Sequence, residues 1–256
     1  MIVASGVSLS SRLQAMTTIA QPEAEVPKLA PLLRGEAETL SSWLERWDAR
    51  QFAFCLAAII VGAGLYGAAM GCWRAPQQAL YTAIKFPLII LLTTGGNALL
   101  NGMLAPLLGL NIGFRQSSLA ILMSFTIVAA ILGAFSPLAA FVIWNAPPLA
   151  AVAQASEGTY RAIQLMNVAV IAFAGIAGNV RLVQLLRQLS GSKKLARRVL
   201  FSWLACNLLL GSQLSWILRP FFGNPALDVQ FLRPNAFQGN FYETIFTAAL
   251  RLFNAN

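Results

Sequence analysis

Between Phe52 and Leu218 the chain alternates long apolar stretches with short polar interruptions. The stretches come close to the roughly 20 apolar residues that a helix needs to cross the hydrocarbon core of a bilayer. Five windows result, at about 52–72, 82–108, 118–144, 163–186 and 197–218. The pattern predicts an all-α fold, a polytopic membrane helix bundle of about five transmembrane helices. The second window is over-long: a straight helix of that length would measure about 40 Å at 1.5 Å per residue, against a core of about 30 Å. It must tilt, break or re-enter, and Gly95–Asn97, Pro87 and Pro106 mark the places. Ser136–Pro137 is a similar breaker in the third window, and the polar stretch around Glu157 reads as loop.

The pattern changes at both ends of this block, which divides the chain into an arm (1–50), a five-span domain (51–218) and a tail (219–256). Residues 1–28 are rich in Ser and Thr and lack the charged start, apolar centre and cleavage site expected of a secretory signal. From Leu32 onward Leu33, Ala37, Leu40, Trp43, Leu44 and Trp47 recur at helical spacing among charged residues. That spacing predicts an amphipathic helix suited to a membrane interface or to a partner protein. After a proline-punctuated stretch, the tail presents Phe241, Tyr242, Ile245, Phe246, Ala249, Leu250 and Phe253 on one side of a second amphipathic helix. Trp43, Trp47, Phe241, Tyr242 and Phe246 are the candidate interface or partner residues of these arms.

Composition confirms the class. Hydrophobic residues make up 57% of the chain and charged residues 11%, with a mean hydropathy of +0.66; soluble domains carry about 25% charged residues. Arg181, Arg187, Lys193, Lys194, Arg197 and Arg198 cluster between the fourth and fifth windows, in a short loop of the kind that stays cytoplasmic. Five spans then place the N-terminus in the cytoplasm and the C-terminus outside. Of the 18 Lys and Arg, only Arg74, Lys85, Arg161, Arg219, Arg233 and Arg251 fall on the outer side. The net charge of +9 is therefore read as topogenic, with anionic lipid as the counter-charge of Lys193, Lys194, Arg197 and Arg198, and with no nucleic-acid partner. An inner or plasma membrane is expected.

The chemistry available is thin. There is no histidine, and no carboxylate lies inside the apolar windows, so imidazole catalysis and His-ligated metals or haem are excluded. Cys55, Cys72 and Cys206 have no CxxC spacing, and no nucleotide-binding or nucleophile motif is present. A non-enzymatic protein without a cofactor is expected. Lys85 intrudes into the second span, where its stem can snorkel to the outer interface. The polar set at membrane depth comprises Thr93, Thr94, Asn97 and Asn101 in span two, Asn167 and Asn179 in span four, and Asn207, Ser212, Gln213 and Ser215 in span five. Asn97 and Asn101, four apart, share a helix face. Amides of this kind join helices by hydrogen bonds or line a path for an ion or solute. Gly67 with Gly71, and Ala174 with Gly178, allow close helix approach within the chain or across a dimer seam.

The passage GLYGAAMGCWRAPQQALYTAIKFPL, with its small-residue span, short polar link and Lys-Pro entry into span two, together with the five-span layout, resembles the Yip-type membrane proteins. The resemblance covers about residues 50–218 and implies a five-span bundle with a cytoplasmic N-terminal arm. In eukaryotes that family is linked to vesicle trafficking and small-GTPase partners; no site residue carries over. The expectation is a subunit or organiser of a membrane assembly, associating with other membrane subunits or with itself. The alternative is a small channel or transporter whose path runs beside Asn97 and Asn101.

Overall fold

The computed structural model describes residues 29–34, 48–109, 113–147, 157–190, 192–222 and 228–243. Among them the fold is all-helical. A short helix α1 (Leu29–Arg34) precedes α2 (Ala49–Gly71), α3 (Pro76–Leu107), α4 (Phe114–Asn145), α5 (Glu157–Ser190) and α6 (Lys193–Leu218). The last five are each long and apolar enough to cross a membrane, so the chain is an integral membrane protein. Most of the amphipathic arm expected after Leu32, with Trp43 and Trp47, lies outside the described residues, as does the tail beyond Glu243, with Phe246. The described start of the arm docks: Leu32 is fully buried, and α1 packs on α4.

Helices α3, α4, α5 and α6 touch in a closed ring, and α2 packs along the outside of the α3–α4 seam. The seam is tight because glycines let backbones meet. A Cβ on Gly67 would lie 2.5 Å from the carbonyl oxygen of Thr82 on α3, and one on Gly133 of α4 would lie 2.9 Å from the Cα of Gly62 on α2. The small-residue pairs thus pack within the chain: Gly67 and Gly71 face α3, and Gly178 faces Ser124 and Val128 of α4.

Neither the over-long second window nor the third breaks. Helix α3 runs through Pro87, Gly95 and Gly96 to Leu107, and α4 runs through Pro137 to Asn145. Each proline deprives the carbonyl four residues earlier of its donor. At Pro137 the repair is local: the Ser136 hydroxyl donates to the orphaned Gly133 carbonyl at 2.7 Å. At Pro87 the freed Ala83 carbonyl faces α2, where a Cβ on Gly64 would come within 3.3 Å of it. Gly96 leaves room for the Leu210 side chain of α6 instead of bending the helix. Of the stretch around Glu157, expected as loop, residues 148–156 lie outside the described residues, and from Glu157 on it is corrected to the first turn of α5.

Two ends of the bundle are chemically distinct. At the basic end α5 turns into α6, with Lys193, Lys194, Arg197 and Arg198 exposed while Ala196 and Val199 face the bundle. At the tail end, residues 219–222 and 228–243 pack over α3 and α6.

Candidate functional site: an intramembrane chamber between an amide latch and a tail clasp

Helix α3 supplies the site, because one of its faces is polar at both ends and apolar in the middle. Gln78, Thr82 and Lys85 follow one another at i, i+4 and i+7; Phe86, Ile89 and Ile90 come next; Thr93, Asn97 and Asn101 complete the stripe.

At the tail end the first trio clasps the chain leaving α6. Gln78 Nε2 donates to the carbonyls of Pro220 at 3.1 Å and Phe221 at 3.0 Å. The Thr82 hydroxyl donates to Phe221 at 2.8 Å and Lys85 Nζ to Pro220 at 2.9 Å. All three side chains are fully buried. Lys85 also lies 5.2 Å from the centroid of the Phe231 ring and 6.0 Å from that of Phe221. Its stem does run toward the tail end, but the ammonium is covered by protein rather than released to a headgroup layer. Gln78 and Thr82 carried no functional expectation, although their spacing from Lys85 puts all three on one helix face.

Toward the basic end, amides converge from three helices. Asn97 Nδ2 donates to Asn207 Oδ1 at 2.6 Å, tying α3 to α6, and Asn101 Nδ2 donates to Asn97 Oδ1 at 3.3 Å. Asn179 of α5 and Ser124 of α4 line the same spot, around a void of about 10 Å³. Asn101 Oδ1 and Trp203 Nε1 border that void without a hydrogen-bond partner among the described residues. Asn97 and Asn101 are buried, so this latch is spent mainly on holding helices together.

The remaining expected residues scatter. Thr94 donates to its own helix at Ile90 (2.7 Å), and Asn179 Nδ2 to Gly175 (2.8 Å). Asn167 joins α5 to α2, its Oδ1 accepting from the Tyr66 hydroxyl at 2.6 Å. Gln213 faces the tail, where its Oε1 accepts from the Phe241 amide at 3.2 Å, and the Tyr242 hydroxyl meets Ser212 Oγ at 2.6 Å. Phe241 and Tyr242 therefore lie against α6, in a described helical turn of three residues, 241–243.

Between latch and clasp the ring encloses a chamber of about 980 Å³, at the upper end of the roughly 300–1,000 Å³ of small-molecule sites. Phe86, Ile90, Phe125, Leu132, Val168 and Leu208 give its wall an apolar character, and among the described residues no charged one contributes. Along the chamber α6 touches α3 through Asn207, Leu210 and Gly211 but is loosely covered: between Trp203 and Leu218 it has no buried residue. The α3 and α4 side is closed, with Ile90, Thr93 and Leu132 buried, whereas Leu165 and Val168 of α5 and Leu208 of α6 are more than half exposed. The opening is lateral, at the depth of the membrane spans. No family model, curated protein or solved structure matches the chain.

Proposed function

We propose that this is a non-enzymatic integral membrane protein that takes a lipid-like guest from the bilayer into the chamber, as a carrier or organiser within a membrane assembly. One observation carries the proposal: a chamber of about 980 Å³ with an apolar wall that opens sideways at membrane depth. An apolar guest entering there needs no desolvated charge, and the scattered polar groups of Gln164, Asn179 and Ser215 can orient it. A path for ions beside Asn97 and Asn101 has less support, since those amides bond to one another and to Asn207.

In this proposal the basic end is cytoplasmic, in an inner or plasma membrane, with Lys193, Lys194, Arg197 and Arg198 on anionic lipid. The arms, through Trp43, Trp47, Phe241, Tyr242 and Phe246, meet neighbouring subunits or a second copy. A place among the Yip-type proteins is likewise a proposal, supported by the five-span layout.

The test is photo-crosslinking of the reconstituted protein with a lipid carrying a diazirine deep in its acyl chain. Adducts should concentrate on chamber residues such as Ile171 and Leu204, and fall severalfold in Gly175→Phe. Gly175 lines the chamber and has open space where a side chain would start. An even belt of adducts around the bundle, unchanged in the variant, would discard the chamber as a site.

A further inference from the structure

Two arginines stand beside the tail-end margin of the chamber, with no hydrogen-bond partner among the described residues for Arg219 Nε or for Arg233 Nε and Nη2. Ser212 and Ser215 belong to the chamber wall, and one turn farther along the same face of the chain lies Arg219. Its guanidinium stacks on the Trp216 ring, and that of Arg233 lies 5.9 Å from the same ring's centroid. Both side chains are held on pinned backbone. Arg219 precedes the Pro220 and Phe221 carbonyls that Gln78, Thr82 and Lys85 hold, and Arg233 opens a turn closed by the Ala236 amide donating to its carbonyl at 3.1 Å.

The donors at this place are unmet. Arg219 Nε, Arg233 Nε, Arg233 Nη2 and Trp216 Nε1 are all buried and find no hydrogen-bond partner among the described residues. Leaving buried donors unpaired costs about 1–3 kcal/mol for each group, and more when the group is charged. Burial, and then the neighbouring Arg233 charge, lower the pKa of Arg219 below its ordinary value. Cations brought together in this way are stabilised by an anion with several acceptor oxygens, and guanidinium groups match phosphate in particular.

We infer that the guest of the chamber is an anionic phospholipid whose phosphate is held by Arg219 and Arg233, with acyl chain running from Phe221 and Phe222 toward the amide latch. The inference rests on the chamber reading and adds the chemical class of the guest. The two halves of the site fit the two halves of that molecule: the described wall is apolar and uncharged, and the margin at its tail end is cationic, with donors that meet no partner among the described residues. Trp216, between them, is the amphipathic residue type found at membrane–water boundaries.

The experiment is native mass spectrometry of the purified full-length chain, after exchange against equimolar phosphatidylglycerol and phosphatidylcholine. The wild type should retain phosphatidylglycerol with a preference of about tenfold, the equivalent of one charge-assisted hydrogen bond. Arg219→Gln with Arg233→Gln should reduce that preference to near parity without lowering the total lipid retained. The single Arg233→Gln, on a surface turn, should lower it part of the way and serves if the pair does not fold. Gly175→Phe should instead lower total retained lipid. Absence of preference in the wild type, or its persistence in the arginine variants, overturns the headgroup assignment while leaving the chamber. Unchanged total lipid in Gly175→Phe overturns the chamber reading and the inference with it.

Discussion

Lys85 donates to the carbonyl of Pro220 across 135 positions of chain, at 2.9 Å, from a fully buried side chain to a half-buried residue. The bond fixes where the chain turns after α6, and so where Arg219 and the start of the tail lie. A hydrogen bond from a charged donor is among the stronger ones, at about 1.5–3 kcal/mol.

Lys85→Met keeps most of the stem and removes the ammonium, leaving Gln78 as the donor to Pro220. The tail should loosen while the ring of helices stays intact. Hydrogen exchange of the amides in 228–243 should accelerate by about tenfold or more, for a loss of the order of 1.5 kcal/mol. Unaltered protection there would mean that Gln78 and Thr82 suffice.

Asn97 and Asn207 form the second link between α3 and α6, and their contribution is measurable as a coupling. Leu at either position alone leaves the other amide buried without its partner, a cost of about 1–3 kcal/mol. Leu at both should cost less than the two losses added. A double-mutant cycle on unfolding in detergent should give a coupling of about 0.6 kcal/mol, and no more than about 1.7. Additive losses would show that the two amides do not interact, and loss of a specific ion flux with stability unchanged would revive the path reading.

The five helices were legible because membrane burial writes itself into runs of apolar residues, and Asn97 with Asn101 because four positions are one helical turn. What Asn97 bonds to was not legible: Asn207 is 110 positions away, and Asn167 and Asn179 have the same composition yet bond elsewhere. The clasp was half visible in the i, i+4, i+7 spacing of Gln78, Thr82 and Lys85. Its partners are backbone carbonyls, which no residue type announces. Pro137 misled as a breaker because the neighbouring Ser136 hydroxyl supplies the missing donor, a repair available in lipid where water cannot intervene. The chamber depends on the loose cover of α6 between Trp203 and Leu218, a matter of packing rather than of pattern.

Gly67 and Gly175 give opposite predictions for the same substitution. At Gly67 a methyl group would press into the Thr82 backbone at 2.5 Å, and backbone cannot move aside as a side chain can. Gly67→Ala should separate α2 from α3 and cost about 1–3 kcal/mol or more. At Gly175 nothing lies within 4 Å of the added atom, so Gly175→Ala should be neutral, or stabilising by up to about 1 kcal/mol through helix propensity. Thermal unfolding of the two variants in one detergent makes the comparison; equal midpoints would contradict the close α2–α3 packing.

Orientation is decided by the two ends of the bundle. Ser192 caps the start of α6 in the middle of the basic cluster, and Asn235 lies on the tail turn, both exposed. One helix, α6, lies between the two sites, and it places them on opposite sides when it spans. With Cys55, Cys72 and Cys206 replaced by Ala, single cysteines at Ser192 and Asn235 should react from opposite sides with an impermeant thiol reagent. The former should require permeabilised cells, because short loops rich in Lys and Arg stay in the cytoplasm. Replacing Lys193, Lys194, Arg197 and Arg198 with Gln should then produce a mixed population, with part of the Ser192 site reacting from outside. Labelling of both sites from one side would remove the five-span topology. Intact orientation after the fourfold change would shift the topogenic signal to Arg115 and the arm before α2.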